Sequence, residues 1–206
     1  MKGIDYSRFS TNNQPVPVSV FQTIRAMFPS GDMLVNVPGG WHGLSAYDGA
    51  RQSIINGRAA GFKYSGTYAV TNRLNGRETI ERAAQALGDE WPKLSFCAID
   101  VELETAPERI YEATEACVAI GVRPIIYTGR WVWQQQPALA AASAAIAACG
   151  PLWNSYYDND PDIDFPNASY GVWKLDTLYG EQYTNTTQVG GYGFDFDFFQ
   201  DKFIVP

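Results

Sequence analysis

The stretch FCAIDVELE, residues 96–104, joins an apolar strand to a run of regularly spaced carboxylates. Its first half is typical of a strand buried in a parallel sheet. Asp100, Glu102 and Glu104 then occupy every second position. Because side chains two residues apart on a strand point to the same face, Asp100 and Glu102 share one side. The stretch therefore predicts a buried strand that carries a carboxylate site at its carboxyl end.

Strands and helices alternate on both sides of this stretch. Strands are predicted at 2–7, 33–37, 66–71, 94–102 and 123–128, with helices at 18–28, 48–61, 78–91, 107–120 and 137–149. Three further strands, at 152–157, 171–176 and 194–199, are joined by loops without a helix. Such alternation indicates a parallel sheet with crossover helices. The sequence predicts a TIM-like (β/α) barrel of eight strands and about five helices, forming a single domain over residues 1–206.

Composition and charge exclude several classes of function. The 206 residues include 15 Lys and Arg against 22 Asp and Glu, a formal net charge of −7 that argues against a nucleic-acid partner. No apolar run is long enough to span a membrane, and the N-terminus MKGIDYSRFS has no signal-peptide core. Cys97, Cys117 and Cys149 are widely spaced and His42 is the single histidine. We therefore expect free thiols, no metal, no cofactor and a monomeric protein.

Acids recur at three predicted strand ends. Asp5 lies in GIDYS on the first strand, Asp100 and Glu102 end the fourth, and Asp195 belongs to the last. In a closed barrel the first and last strands are neighbours, so these acids are expected to meet at one mouth. Crowded carboxylates raise one another's pKa, so that one can donate a proton while another stays ionised, as glycoside hydrolysis requires. The alternative is that the acids form structural ion pairs or cap loops.

Seven segments in series resemble the glycoside hydrolase family 25 lysozymes, the Chalaropsis-type muramidases. GIDYS resembles the first-strand Gly-Ile-Asp-x-Ser of that family, and AIDVE is similar to its Asp-x-Glu strand. The other five similar segments are NGRAAGFKYSGTYAV, IIYT, LWNSYY, GVWKLD and FDFDFF, the last two set against Trp-Gln-Tyr and Val-Asp-x-Asn-x-Phe. The resemblance covers nearly the whole chain in the right order. It implies a barrel with fewer helices in its last part, in agreement with the element pattern.

The resemblance also implies an activity, namely hydrolysis of the β-1,4 bond after N-acetylmuramic acid in peptidoglycan with net retention. By position, Glu102 is the implied general acid. Asp100 is implied to orient the substrate's N-acetyl group or to act as the ionised partner, and Asp5 and Asp195 match the two other acidic sites. The family is described with acetamido participation rather than an enzyme nucleophile. A cell-wall-acting location follows, as for a phage lysin or for a secreted enzyme that has lost its signal.

Departures from the family pattern leave two alternatives open. The second strand reads VNVPGGW where the family has a Lys-Ala-Thr-Glu-Gly-like segment. Tyr68-Ala69-Val70 replaces Tyr-His-Phe, and Lys174-Leu175 follows Trp173 in place of Gln-Tyr. The first alternative is a non-catalytic glycan-binding protein on the same barrel. The second is a hydrolase of another N-acetylhexosamine polymer.

Aromatic residues at the predicted strand ends are candidates for stacking on sugar rings. The candidates for substrate binding are Trp41, Tyr68, Tyr127, Trp153 and Trp173. Core packing is the competing interpretation for each of them. His42, in the loop after the second strand, is expected to be a structural loop residue. The acidic segment DNDPDID, residues 158–164, lacks the glycine and glutamate of a calcium loop, so no metal is assigned to it.

Overall fold

The computed structural model describes residues 1–29, 34–42, 47–163 and 170–204, without the side chains of residues 203 and 204. Within these residues the strands are β1 (Lys2–Ser7), β2 (Leu34–His42), β3 (Tyr64–Val70), β4 (Phe96–Asp100), β5 (Pro124–Thr128), β6 (Leu152–Ser155), β7 (Leu178–Gln182), β8 (Thr187–Val189) and β9 (Tyr192–Phe199). The helices are α1 (Val18–Met27), α2 (Ala50–Ala59), α3 (Arg77–Leu87), α4 (Pro107–Ala119), α5 (Arg130–Gln135), α6 (Pro137–Ala141), α7 (Ser143–Cys149) and α8 (Asp201–Ile204).

Eight of the strands close into a barrel. The order is β1-β2-β3-β4-β5-β6-β7-β9, and β9 pairs back onto β1, while β8 extends β9 outside the ring. The first seven strands are parallel, and β9 runs antiparallel to both of its barrel neighbours. The predicted TIM-like barrel is confirmed, with one strand reversed.

The barrel walls separate two apolar cores, as alternating side chains require. Outward-facing residues of the strands pack against the helices in the larger core, which includes Ile4, Ile99 and Ile126. Inward-facing residues fill the smaller core; they are Val35, Val37, Phe96, Ala98, Ile125, Tyr127, Trp153, Tyr179 and Phe199. Several inward positions are glycine because a neighbouring ring takes the space. At Gly39 a Cβ atom would lie 2.1 Å from the ring of Tyr68. The inner core thus fills one part of the barrel and leaves polar side chains at the other.

Two of the predicted helices differ most from the observed ranges, and local features of the chain mark where the observed helices end. The third predicted helix ends early, because Gly88 adopts φ 56° and the chain continues as a 3₁₀ helix, Gly88–Lys93. The predicted helix at 137–149 is divided at Ala142 into α6 and α7. Pro107 occupies the first turn of α4, where its missing N–H has no helical partner to lose.

The predicted strand at 171–176 is wrong. Residues 175–177 form a 3₁₀ turn, Leu175–Thr177, and the seventh strand is β7, which begins at Leu178. Alternation of apolar and polar residues in GVWKLD suggested a strand, but Trp173 faces the helical layer instead. The β6–β7 connection includes residues 164–169, so the end of the predicted acidic loop lies outside the described part of the chain.

The thiol prediction is confirmed. All three cysteines are free, with Cys97 and Cys117 buried and Cys149 partly exposed. Among the described residues, no helix combines the length and apolarity needed to cross a bilayer.

Candidate active site

Four predicted acids meet at one mouth of the barrel. Asp5 is contributed by β1, Asp100 ends β4, Glu102 follows two residues later, and Asp195 lies on β9. They line a cavity of about 110 Å³ together with Tyr68, Tyr127, Trp153, Tyr157 and Gln182. Asp5 and Asp100 are nearly fully buried, whereas Glu102 and Asp195 are half-buried. The cavity therefore has two acids in its floor and two at its edge.

Gln182 connects the acids of the first and last strands. Its Nε2 donates to Asp5 Oδ2 at 2.7 Å and to Asp195 Oδ2 at 3.3 Å. Its Oε1 accepts from the Tyr127 hydroxyl at 2.6 Å. The Thr186 backbone N–H also donates to Asp195 Oδ1. Because the amide orientation places its donor toward both carboxyls, Gln182 fixes the two side chains relative to each other.

Burial and mutual repulsion raise the pKa values of the acids. The pKa of Asp5 lies well above its ordinary value of 3.8, first because of burial and then because of the charge of Asp195. Burial, followed by the charges of Glu102 and Asp5, likewise raises the pKa of Asp100 well above 3.8. The pKa of Asp195 is raised by burial against the opposing Thr186 hydrogen bond. The cavity consequently favours protonated carboxyls at pH values at which exposed acids are ionised.

Two neighbours shift the pKa of Glu102 in opposite directions. Burial is the largest cause of its raised pKa, and the charge of Asp195 adds to the effect. The Tyr127 hydroxyl acts in the opposite direction by stabilising the carboxylate. No Lys, Arg or His is among the described residues that line the cavity, so no cation offsets the repulsion there. The Glu102 carboxyl can therefore stay protonated at pH values above 4.5, the ordinary pKa of Glu, and still reach solvent.

The aromatic candidates divide into two groups. Tyr68, Tyr127 and Trp153 line the acidic cavity, and Tyr127 packs edge-on against Trp153 with ring centroids 4.8 Å apart. Trp41 and Trp173 do not line it, and for these two the expectation of sugar contact is corrected. Trp41 is fully buried with its Nε1 donating to Thr67 Oγ1 at 3.2 Å.

Trp173 belongs to the outer core. Its ring packs against Trp133 and Tyr170 with centroids 5.1 and 6.0 Å apart, and its Nε1 donates to the Gly150 carbonyl. Large aromatic rings close gaps between helices and sheet as readily as they stack on sugars, and sequence position does not separate the two uses.

A second cavity of about 370 Å³ adjoins the first, sharing Tyr68, Asp100 and Glu102 with it. Its other lining residues are Ser7, Phe9, Gly40, His42, Val70 and Leu103. Phe9 and Leu103 are exposed, so this side of the mouth is apolar and accessible. His42 lines this cavity and is bonded through Nε2 to the Asn72 amide. The predicted loop histidine thus lies at the rim of the mouth.

Sequence reasoning missed Gln182 and Tyr157, and for Gln182 a signal was present. The resemblance predicts a Gln-Tyr pair after Trp173, whereas the chain at the end of β7 reads Glu181-Gln182-Tyr183. The Gln-Tyr pair is therefore present one segment later than predicted. Tyr157 follows β6 and gave no comparable signal. Asp197, two residues after Asp195 on β9, is fully buried and does not line the cavity.

The closed barrel has counterparts among solved structures. A muramidase from Acremonium alcalophilum matches with a TM-score of 0.68 at 19% sequence identity, over 97% of this chain and 93% of the other. This chain has that muramidase's fold. The catalytic domain of endolysin ply40, from a bacteriophage of Listeria monocytogenes, gives a TM-score of 0.62 at 16% identity, covering 99% and 95% of the two chains.

A third structure is GHIP of Streptococcus pneumoniae, described as a glycosyl hydrolase 25 that participates in host cell invasion. It matches with a TM-score of 0.62 at 18% identity, over 98% of this chain and 87% of its own. No protein-family model and no curated protein sequence matches this chain. At such identities the likeness establishes a shared fold, and function has to be argued from the site.

Proposed function

We propose that the protein is a lysozyme-type glycoside hydrolase, an N-acetylmuramidase that cleaves the β-1,4 bonds of peptidoglycan with net retention. The observation that carries the proposal is the convergence of Asp5, Asp100, Glu102 and Asp195 on one cavity open to solvent. Glycoside hydrolysis needs one carboxyl that donates a proton and others that stabilise positive charge at the sugar. The shared fold with a muramidase and with an endolysin catalytic domain supports the same substrate class.

Glu102 is the proposed general acid. It is half-buried at the junction of the two cavities, where a glycosidic oxygen can approach it from solvent. Its raised pKa favours the protonated form that the first step requires. Asp100 lies deeper on the same side of the strand, and its Oδ1 has no hydrogen-bond partner among the described residues. That oxygen is available to accept from the N–H of a substrate acetamido group.

The proposed reaction proceeds in two steps. Glu102 transfers its proton to the glycosidic oxygen, the bond from C1 to that oxygen breaks, and its electron pair remains on the departing hydroxyl. The carbonyl oxygen of the substrate acetamido group then bonds to C1, while Asp100 holds the N–H. In the second step a water molecule attacks C1, reopens the acetamido ring and gives a proton to the Glu102 carboxylate. Two displacements at C1 account for retention, and Glu102 ends the cycle protonated.

The surfaces beside the acids suit a glycan strand. Apolar side chains on one side and Tyr hydroxyls in the acidic cavity match the two faces of a pyranose ring. A cavity of about 110 Å³ takes part of a sugar rather than a whole disaccharide, and the adjoining 370 Å³ cavity supplies the additional room. The proposed place of action is accordingly the bacterial cell wall.

The test is release of reducing ends from purified peptidoglycan by wild type, Glu102→Gln and Glu104→Gln. Glu104 is the matched control, because it follows Glu102 by two residues but has an exposed side chain paired with Arg73. Removing a general acid is expected to lower the rate by about 10²–10⁴-fold. Glu104→Gln should remain within about twofold of wild type, as expected for an exposed ion pair.

The same assay distinguishes the competing functions. Binding of peptidoglycan fragments by wild type without any release of reducing ends would replace the proposal with a glycan-binding role. Release from chitin, with none from peptidoglycan, would assign another N-acetylhexosamine polymer. Equal release by wild type and Glu102→Gln would remove Glu102 from the mechanism.

A further inference from the structure

A fifth acid, Asp197, lies inside the barrel beneath the proposed active site and takes no part in the reaction described above. It is two residues from Asp195 on β9, on the same face of the strand, and none of its surface is exposed. In strand register it lies between Gly3 of β1 and Gln182 of β7. Gly3 leaves space mainly for the Phe199 ring, which would lie 2.4 Å from a Cβ atom there, and Asp197 Cβ lies next to the same space at 3.3 Å.

The surroundings of Asp197 do not suit a carboxylate. Neither carboxyl oxygen has a hydrogen-bond partner in the described part of the chain. The charged groups that act on it are Asp5 from β1 and Asp195 from its own strand, both acids. The Tyr183 hydroxyl, just after β7, is the other titratable neighbour, and Asp197 contributes to raising its pKa to about 12. An ionised carboxyl would thus be buried among like charges with no donor to satisfy it.

The polar group that faces Asp197 from β6 is the indole N–H of Trp153. This N–H favours the carboxylate, but the pair does not reach hydrogen-bond geometry, and the indole nitrogen also lacks a partner among the described residues. Trp153 packs against Tyr127, whose hydroxyl donates to Gln182. Gln182 in turn holds Asp5 and Asp195. A set of contacts therefore leads from Trp153, which faces the Asp197 carboxyl, to the acids of the cavity.

We propose that Asp197 is a positioning residue that works as a neutral carboxylic acid, supporting Trp153 from below and, through Tyr127 and Gln182, the placement of Asp5 and Asp195. A neutral acid can accept from the indole N–H without adding a negative charge beside Asp5 and Asp195. Burial and the charges of Asp5 and Asp195 hold its pKa well above 3.8, in agreement with this state. The protonation state of Asp197 does not depend on the proposed hydrolysis, whereas its effect on kcat rests on that function.

The first arm of the test measures protonation directly. Infrared difference spectra at pH 7 compare wild type with Asp197→Asn and with Asp160→Asn, the same substitution at a solvent-exposed acid. Asp197→Asn should remove a C=O band of a protonated carboxylic acid, while Asp160→Asn should remove a carboxylate band. Loss of a carboxylate band in Asp197→Asn would overturn the proposal.

The second arm measures positioning through the pH dependence of kcat. Asp197→Asn, which is neutral and of equal size, should keep kcat within about twofold and leave the pH profile in place. Asp197→Leu, which offers no acceptor, should lower kcat by about tenfold or more with a small change in KM. The proposal fails if Asp197→Leu keeps full kcat, or if the alkaline limb of Asp197→Asn moves to lower pH, as loss of a negative charge beside the site would cause.

A wild-type protein without hydrolytic activity would remove the proposed function and with it the kinetic arm. The infrared arm would then still decide whether Asp197 is neutral. An Asp197→Leu chain that does not fold leaves the infrared spectrum and the pH profile of Asp197→Asn as the deciding measurements.

Discussion

Asp5 and Asp195 lie directly opposite each other at the seam where β1 and β9 close the barrel, and Gln182 Nε2 donates to both carboxyls. The pairing is antiparallel, so a residue in the first half of β9 reaches the same end of the barrel as a residue in the second half of β1. The seam thus brings together acids that are 190 residues apart in sequence and places their shared donor on the neighbouring strand, β7.

Replacing Gln182 with Met should disable the site while retaining most of the side-chain volume. The change removes one acceptor and one donor shared by two acids, and hydrogen bonds to charged groups contribute about 1.5–3 kcal/mol each. We expect kcat on peptidoglycan to fall by about tenfold or more. Gln188→Met on the exposed side of β8 is the matched control and should behave as wild type. Full kcat in Gln182→Met would show that the bridge between Asp5 and Asp195 is dispensable.

Asp195→Asn should move the alkaline limb of the kcat profile to lower pH. The charge of Asp195 raises the pKa of Glu102, so its removal lets Glu102 lose its proton at a lower pH. Because the proposed reaction needs protonated Glu102, activity should decline at a lower pH than in wild type. The measurement is kcat between pH 4 and 9. An alkaline limb that stays in place or moves upward would contradict the electrostatic coupling.

Tyr127→Phe should move the same limb in the opposite direction. The Tyr127 hydroxyl stabilises the Glu102 carboxylate, so its loss should raise the pKa of Glu102. The lost bond to Gln182 should also lower the free energy of unfolding by about 1 kcal/mol. The exposed Tyr156→Phe serves as control and should change neither quantity. If the alkaline limb moves in the same direction in Asp195→Asn and Tyr127→Phe, Glu102 does not determine the pH dependence of kcat.

The folded protein should lose stability as pH rises from mildly acidic values. The pKa values of Asp5, Asp100, Glu102, Asp195 and Asp197 are all raised in the folded state, so the folded chain binds more protons than the unfolded chain. Their contribution is fully present below the ordinary values of 3.8 and 4.5 and is lost as pH rises through the folded-state values. Glu90, whose pKa is lowered despite burial because it pairs with Arg58 and Lys93, acts in the opposite sense at the acid end.

Thermal unfolding followed by circular dichroism from pH 4.5 to 9 checks this expectation. Tm should decline toward alkaline pH in wild type and decline less in Asp197→Asn, which removes one of the titrating acids. A Tm that increases steadily up to pH 8 would contradict it.

Trp173→Ala should reduce stability and leave the chemistry intact. The ring is nearly fully buried among Trp133 and Tyr170, and deletion of such a side chain costs about 3–5 kcal/mol. In urea unfolding, Trp131→Ala provides the comparison, because Trp131 is about half exposed and should cost much less. If Trp173→Ala weakens glycan binding without changing stability, Trp173 contacts the sugar after all.

Much of the fold could be predicted because its signals are local. The spacing of apolar residues predicts the strand-to-helix alternation of the first five units, and this alternation dictates a parallel sheet with crossover helices. The last part was harder. The β7 segment, LYGEQ, has no regular alternation of apolar residues, and pairing with β6 and β9 is what makes Leu178–Gln182 a strand. Because β7 was not predicted as a strand, Gln182 was not predicted as a site residue.

The candidate site shows the same contrast between features that are local in sequence and features that depend on tertiary packing. Carboxylates at strand ends are visible in sequence, so Asp5, Asp100, Glu102 and Asp195 could be predicted to meet. The layer that a tryptophan enters is not visible, because both cores accept large aromatic rings. Trp153 therefore lines the cavity, whereas Trp41 and Trp173 lie in the outer core.

The sequence by itself determined the strand-to-helix alternation, the closed barrel and the acids at its mouth, because each depends on short spacings and on side chains that alternate along a strand. The tertiary structure alone decided the reversed direction of β9, the bridge through Gln182 and the buried state of Asp197. These depend on which strands become neighbours around the ring. A pattern of alternating residues is the same for a parallel and an antiparallel strand, so only closure of the barrel sets the direction that places Asp195 opposite Asp5.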